Sequence, residues 1–308
     1  MSWSESPAEQ AFRTAGPICH LYTKPLETDV FFHGDEERVI AVNYIAIAVL
    51  ESGCTLLAYA IMNNHFHFVL AGTQNQVTAF HERLKYLLNT YFRYHGRGKL
   101  MDGAESGLTP IGHLKQLRNE IAYVIRNAFA VRQDVNVFAD PWSTGHLYFN
   151  PLLVEDGIPA SQLKGRALRM FTCSRSIDKV DARIYVKDGM AQPWSFVDYK
   201  LVMSFYDNAR QFVNSVIKNV EAMAELTMGY GETLQFNDDE LYPLVNKMCR
   251  EKLRVANLSE LDFQGKRELA VLMKNRYSAS NGQIARLVKM DLKEVNALFP
   301  LVAKAQIR

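Results

Sequence analysis

The chain has 308 residues, of which 48% are hydrophobic and 22% are charged, an ordinary composition for one large globular domain or two to three smaller ones. This balance disfavours a disordered chain, a collagen-like chain and a coiled coil. The 35 Lys and Arg residues nearly offset the 33 Asp and Glu residues, so the net charge of +2 indicates no anionic partner.

Charge is distributed unevenly along the chain. Residues 1–45 carry three basic and seven acidic residues, residues 81–132 carry nine and four, and residues 246–308 carry thirteen and six. Between the two basic segments, residues 221–245 hold six acidic residues and no basic one. Two basic segments suit a nucleic acid contacted at two places, and solvated helix faces would explain the pattern equally well.

The four cysteines are scattered through the sequence and form no Cys-x-x-Cys pair. This spacing indicates neither a disulfide framework nor a zinc ribbon, and it favours a reducing compartment. No stretch approaches the roughly 20 apolar residues that cross a bilayer. The first residues also lack the basic and then apolar pattern of a signal peptide. We therefore expect a soluble, cytoplasmic protein without a membrane partner.

Hydrophobic periodicity predicts alternating strands and helices in the first half of the chain. The predicted elements are a strand over 18–23, a short strand over 29–34, a helix over 36–51, strands over 55–61 and 65–70, a helix over 76–95, a mobile glycine-rich loop over 96–107 and a helix over 110–130 that starts at Thr109-Pro110. The two nearly continuous apolar strands indicate neighbouring antiparallel strands covered on both faces. This order of elements is typical of an α+β sheet domain.

The pattern is weaker over residues 151–245, where helices are predicted near 161–172 and 203–226. Helices over 264–275, 280–288 and 292–299, with a tight turn at 289–291, then have the proportions of a helix-turn-helix. We therefore predict three segments: an α+β domain over 1–150, a mostly helical accessory segment over 151–245, and a helical DNA-binding domain over 246–308.

Two histidines, His65 and His67, lie two positions apart on a predicted strand and so share one face, while Phe66 and Phe68 face the opposite layer. Charged imidazoles are costly in apolar surroundings, whereas a neutral pair could bind a divalent metal with one more ligand. The structural alternative is a core histidine bonded to a backbone carbonyl, with the second histidine merely its neighbour.

Four sequence blocks follow one another within residues 18–150. They are Ala58-Tyr59-Ala60-Ile61-Met62-Asn63-Asn64-His65-Phe66-His67-Phe68-Val69-Leu70, then Tyr91-Phe92-Arg93-Tyr94 before a glycine-rich loop, Tyr123-Val124-Ile125-Arg126-Asn127, and Asp140-Pro141-Trp142-Ser143-Thr144 with Tyr148-Phe149. In this order the blocks resemble the single-tyrosine HUH transposases, and in particular their REP-associated branch. The chain departs from the family after Asn127, where Ala128-Phe129-Ala130-Val131 replaces the usual Pro-x-x-Ala-Gly, so the helix is free to continue.

The resemblance implies a ferredoxin-like or RRM-like HUH catalytic domain over 1–150, with an antiparallel sheet and packed helices. It implies a transposase that cleaves and rejoins single-stranded or hairpin DNA from palindromic repeats or element ends. Tyr123 would form a 5′-phosphotyrosine intermediate, and His65, His67 and Asn127 would bind Mg²⁺ or Mn²⁺. No nucleotide cofactor is implied, and the protein would act as a monomer or homodimer. Tyr123 and Asn127 are four residues apart and so share a helix face.

Basic side chains around the predicted site are candidates for contacts with DNA phosphates. In the first 150 residues these candidates are Arg83, Lys85, Arg93, Arg97, Lys99, Lys115 and Arg126. In the C-terminal domain, Lys293 and Asn296 of the last short helix are candidates for base or phosphate contacts. Solvated helix faces are the simpler explanation for the same residues.

Two other functions remain open from the sequence. The first is another HUH nickase, a relaxase or replication initiator, although no Gly-x-x-x-x-Gly-Lys-Ser/Thr loop of a helicase is present. The second is a domesticated DNA-binding regulator that keeps the fold without turnover. Among rival nucleophiles, Tyr86, Tyr91 and Tyr94 lie on an amphipathic helix, where aromatic residues at that spacing are more often core residues.

Overall fold

The computed structural model describes residues 5–26, 30–131, 138–172, 183–218, 223, 224, 226, 230, 236 and 238–300. The chain divides into two compact units, residues 1–217 and residues 218–308. These units do not coincide with the three predicted segments, because residues 151–217 belong to the same unit as the α+β domain.

The first unit is built around a four-stranded antiparallel sheet. Its strands are β1 (Ile18–Thr23), β2 (Thr55–Ile61), β3 (Phe66–Ala71) and β4 (Ser106–Ile111). The strand order is β2-β3-β1-β4, with β1 and β3 in the centre. Together with the helices between β1 and β2 and between β3 and β4, this order is the ferredoxin-like β-α-β-β-α-β arrangement. The predicted α+β class and the antiparallel pair are confirmed.

Four helices accompany this sheet: α1 (Pro7–Thr14), α2 (Asp35–Ser52), α3 (Gln74–Tyr94) and α4 (Leu114–Val131). α2 begins with three acidic residues at its positive dipole end and ends at Gly53, whose φ of 69° suits a glycine. The side chains of Thr73 and Gln76 form a capping box at the start of α3. α4 runs past Asn127 to Val131, as the missing proline leads us to expect.

The two faces of the sheet are covered by different helices. Phe68 packs edge-to-face on Phe80 of α3, with ring centroids 5.1 Å apart. The neighbouring His67 points the other way and meets Tyr123 of α4. Because side chains alternate along a strand, α3 and α4 lie on opposite faces of the sheet, and the candidate histidines are on the α4 face.

The strand predicted over 29–34 is wrong for residues 30–34, and Asp29 lies outside the described residues. The N–H groups of Phe31 and Phe32 both donate to the carbonyl of Asn63, at 2.6 and 3.0 Å, instead of joining a strand ladder. Their rings are buried against Phe66, with centroids at 4.9 and 5.6 Å. Aromatic burial, not strand pairing, therefore explains this apolar stretch.

The predicted start of the fourth helix is also wrong. Thr109 and Pro110 lie in β4, and α4 begins only at Leu114. The predicted loop over 96–107 ends inside the same strand, and it includes a short 3₁₀ turn at Leu100–Asp102. Among the described residues β4 pairs only with β1, so Pro110 occupies an edge strand, where its missing N–H is tolerated.

Beyond α4, the described residues of the first unit form a small sheet and three short α-helices. These elements are β5 (Ile158–Pro159), β6 (Tyr185–Lys187), β7 (Met190–Ala191), α5 (Gly165–Thr172), α6 (Tyr199–Ser204) and α7 (Ala209–Lys218). The helix predicted near 161–172 is confirmed in its later part. The single helix predicted near 203–226 is wrong, because the side chain of Asn208 accepts the Gln211 N–H at 2.9 Å and starts a new helix. Most of residues 219–226 lie outside the described part of the chain.

The second unit is helical where it is described. Its helices are α8 (Asp238–Glu251), α9 (Phe263–Tyr277), α10 (Asn281–Val288) and α11 (Leu292–Leu298). The three predicted C-terminal helices are confirmed, and capping boxes at Ser280 and Asp291 start the last two. Lys289, with φ of 55°, ends α10 and begins the tight turn. Across the described residues, every helix is too short or too polar to cross a membrane.

Candidate active site

The two motif histidines lie side by side on the α4 face of the sheet. His67 is in the central strand β3 and is fully buried, and His65 precedes the strand and is 8% exposed. Their ring centroids are 5.1 Å apart and nearly perpendicular. The Nδ1 atom of His65 is 2.9 Å from Oδ1 of Asn64, which fixes the orientation of its ring. The predicted shared face is therefore present.

α4 brings Tyr123 directly over this histidine pair. The Tyr123 ring packs edge-to-face on His67, with centroids 5.4 Å apart and an interplanar angle of 89°. Its side chain is 0% exposed, so part of the surrounding structure must shift before a phosphate can reach the hydroxyl. Asn127 is buried one turn further along α4, where its Nδ2 donates to the Tyr123 carbonyl at 3.3 Å. The structure thus brings Tyr123 to the histidines and ties the Asn127 amide to the helix backbone.

Two residues that the sequence analysis missed extend this cluster. His20 of β1 places Nε2 3.0 Å from Nδ1 of His67, and its Nδ1 lies 2.9 Å from Oε2 of Glu120 on α4. All three side chains are 0% exposed. Glu120 precedes Tyr123 by three positions and so shares its helix face, a signal that could have drawn attention to it. No local pattern marks His20 beyond its place in a predicted strand.

The histidine pair fits part of a divalent metal site. In the described residues, no three His, Cys, Asp or Glu side chains form a group that could by themselves hold a metal ion. The Nδ1 atoms of His65 and His67 are both engaged by protein side chains, so a metal would be bound through Nε2 of each ring. Two imidazoles completed by amide or water oxygens suit Mn²⁺ better than Mg²⁺, because Mg²⁺ strongly prefers oxygen ligands.

Tyr22 borders the same cluster from β1. Its ring is half-buried and stacks near His67, with centroids 6.4 Å apart and an interplanar angle of 18°. Tyr22 is paired in register with Gly107 of β4. A Cβ atom at Gly107 would lie 2.3 Å from Cζ of Tyr22, so any larger residue at this position would require the Tyr22 ring to shift.

Four of the basic residues predicted to contact DNA form ion pairs within the first unit. These pairs are Arg83 with Glu51, Lys85 with Asp102 at 3.1 Å, Lys99 with Asp102 at 3.7 Å, and Arg97 with Glu37 at 3.1 Å. The hydrogen bond from Lys85 lowers the pKa of Asp102. By contrast, Arg93 and Lys115 are exposed, and neither forms an ion pair within the described residues.

The other three DNA-contact candidates differ in their surroundings. Arg126 is buried, and its Nη1 donates to the carbonyl of Val216 at 2.8 Å, which indicates a structural role. Lys293 is exposed on α11. Asn296 is half-buried, and its Oδ1 accepts a hydrogen bond from Asn281 at 2.9 Å, so its amide holds α10 and α11 together.

The rival tyrosines on α3 lie away from the core. Tyr86 and Tyr94 are 62% and 87% exposed, so the expectation that they are core residues is wrong. Tyr91 is half-buried and packs on His95, with ring centroids 4.4 Å apart. Of the tyrosines weighed from the sequence, Tyr123 is the one that the structure places against His67.

Comparisons with known proteins add little to this geometry. No protein-family model and no curated protein matches the sequence. A solved structure of a REP-associated tyrosine transposase bound to a REP hairpin is similar to part of the chain. The match covers 43% of this chain and 78% of that chain, at 11% identity and a TM-score of 0.33. A similarity this low supports no conclusion about the function of this chain, so the functional proposal depends on the geometry of the site.

Proposed function

We propose that the protein is a DNA strand transferase of the single-tyrosine HUH type, similar to the REP-associated tyrosine transposases. The observation that carries the proposal is the packing of the Tyr123 phenol on His67, beside His65, over the centre of the sheet. A nucleophilic hydroxyl next to a pair of metal-binding imidazoles is a combination that can cleave a phosphodiester. The proposed substrate is single-stranded or hairpin DNA from a palindromic repeat or element end.

The proposed reaction exchanges one phosphodiester for another. The Tyr123 oxygen forms a bond to phosphorus and loses its proton, and the 3′ oxygen of the DNA leaves and gains a proton. The 5′-phosphotyrosine keeps the energy of the broken linkage, so a 3′-OH can reverse the step without a nucleotide cofactor. A Mg²⁺ or Mn²⁺ ion held by His65, His67 and Asn127 would polarise the phosphate and offset the charge that develops on it.

The C-terminal helices complete the proposal. We assign α9, α10 and α11 as a helix-turn-helix module in which Lys293 reaches the DNA. Arg93 and Lys115 supply phosphate contacts from the first unit. The same proposal includes a cytoplasmic location and a monomeric or homodimeric state.

A denaturing-gel assay tests the nucleophile. Labelled hairpin oligonucleotides from the DNA that flanks the gene are incubated with the protein and Mn²⁺ or EDTA. We expect a covalent protein–DNA band with the wild type and none with Tyr123→Phe or with EDTA. The matched control is Tyr206→Phe, which changes a buried tyrosine packed on Phe149 and Phe212 and should leave the band intact.

The complete burial of Tyr123 favours a second candidate, a DNA-binding regulator that keeps the fold without turnover. The same assay separates the two functions. Tight binding of the hairpin without a covalent band on any flanking sequence would support the regulator. A band that persists in Tyr123→Phe would keep the chemistry and move the nucleophile to Tyr22, Tyr91 or Tyr94.

A further inference from the structure

We propose that Glu120 and His20 are positioning residues that set the tautomer of His67 and thereby its affinity for a divalent metal. This inference rests on the metal site of the proposed function and adds two residues to it. Glu120, His20 and His67 form a chain of two hydrogen bonds, the buried relay.

The buried relay joins three elements of the first unit. Glu120 lies on α4, His20 on β1 and His67 on β3, and the two hydrogen bonds between them measure 2.9 and 3.0 Å. The three side chains are 0% exposed. Burying these polar groups is costly unless they bond to one another, so the relay holds each ring in a defined orientation.

With Glu120 ionised and His20 neutral, the chemistry of the relay sets the direction in which its hydrogen bonds run. An ionised carboxylate can only accept, so Nδ1 of His20 must donate to Glu120. In a neutral His20 ring, Nε2 then carries the lone pair and accepts from Nδ1–H of His67. The lone pair of His67 is consequently at Nε2, the nitrogen through which it would bind a metal.

Replacing the carboxylate by an amide removes this constraint. A glutamine at position 120 can turn its NH₂ group toward His20, which makes Nδ1 of His20 the acceptor and Nε2 the donor. Nδ1 of His67 would then accept, and its proton would move to Nε2. In that tautomer His67 cannot bind a metal through Nε2 without first losing the proton.

The first test is the tautomer of His67 in the wild-type protein. Long-range ¹H–¹⁵N NMR of histidine-labelled, metal-free protein distinguishes a protonated from an unprotonated ring nitrogen. We expect His67 to carry its proton on Nδ1 and its lone pair on Nε2. A proton on Nε2 would overturn the proposal, and the measurement depends on no variant.

The second test is Mn²⁺ affinity, measured by electron paramagnetic resonance of free Mn²⁺. We expect Glu120→Gln to weaken Mn²⁺ binding about 10- to 100-fold, the usual effect of losing such a partner. The matched control is Glu105→Gln, which removes an exposed carboxylate paired with Lys24 at 2.7 Å and should not change the affinity. Near-UV circular dichroism confirms that both variants are folded. Wild-type affinity in a folded Glu120→Gln variant would overturn the proposal.

The outcomes also separate this inference from the proposed function. In one outcome the wild type binds Mn²⁺, Glu120→Gln weakens that binding, and no DNA adduct forms. This outcome would support the buried relay and reject the strand-transferase function. A wild-type protein that binds no Mn²⁺ overturns the metal site, and the buried relay's role in it.

Discussion

Gly107 is the edge-strand residue paired with Tyr22, whose ring borders the candidate site. We expect Gly107→Ala to destabilise the protein by about 1–3 kcal/mol, because the new methyl group would overlap the Tyr22 ring. Urea unfolding followed by fluorescence measures the change. Gly103→Ala is the matched control, since its Cβ would lie at an ordinary 3.7 Å from the Leu100 carbonyl oxygen. Equal stability of the two variants would show that Tyr22 moves aside without cost.

At the same scale, the sequence predicts some site residues and misses others for a physical reason. The alternation of side chains along a strand places His65 and His67 on one face, and the turn of a helix places Tyr123 and Asn127 together. His20 and Glu120 are joined by a hydrogen bond across 100 positions of sequence, which no local period reveals. Such a contact depends on the strand order and on the face that α4 covers.

Arg126 ties α4 to α7. Its guanidinium donates to the carbonyl of Val216 in α7 at 2.8 Å. We expect Arg126→Met to lose about 1–3 kcal/mol of stability, because the Val216 carbonyl loses a buried donor. We expect the folded variant to keep the DNA affinity of the wild type. Chemical denaturation and hairpin binding measure the two effects.

The control for Arg126 lies on the same helix. Lys115→Met removes an exposed positive charge, so it should change stability by less than about 0.5 kcal/mol and weaken hairpin binding. The opposite result would be a weaker hairpin affinity in folded Arg126→Met and an unchanged affinity in Lys115→Met. It would show that Arg126 contacts the DNA and that Lys115 does not.

Element boundaries were predictable where local chemistry and tertiary pairing agree. The capped helices α10 and α11 lie within a residue of their predicted limits because Ser280 and Asp291 start them in either context. Thr109 and Pro110 also look locally like a helix start. They form β4 instead because pairing with β1 satisfies this backbone, a gain that only the assembled sheet provides.

At the scale of the whole molecule, ion pairing divides the basic residues into two groups. Arg93, Lys115 and Lys293 are exposed, whereas Lys85 is paired with Asp102. The affinity falls as the salt concentration rises, so the slope of log affinity against log salt is negative. If the exposed residues contact phosphates, each alanine substitution should reduce the magnitude of this slope by about 0.7–0.9. Fluorescence anisotropy with a labelled hairpin measures the slope. Lys85→Ala is the control and should change the slope little; an equal loss there would contradict the division.

The extent of the first unit could not be predicted from local patterns. Val197 forms a bridge to Leu56 of β2, and Asn43 of α2 bonds to the backbone at Gly189 and Ala191. These contacts attach residues from the weakly patterned middle of the chain to the sheet domain. The periodic pattern weakens near residue 150 and the charge balance changes near residue 245, whereas packing sets the boundary at residue 217.

The burial of Tyr123 has a consequence for when the proposed enzyme can act. If the hydroxyl becomes accessible only in a minor conformation, the observed cleavage rate is the intrinsic rate multiplied by the fraction of molecules in that conformation. DNA that binds the accessible form more tightly raises this fraction, while DNA without such a preference leaves it unchanged. A closed resting site would therefore restrict strand breakage to the hairpin that opens it and leave other single strands uncut.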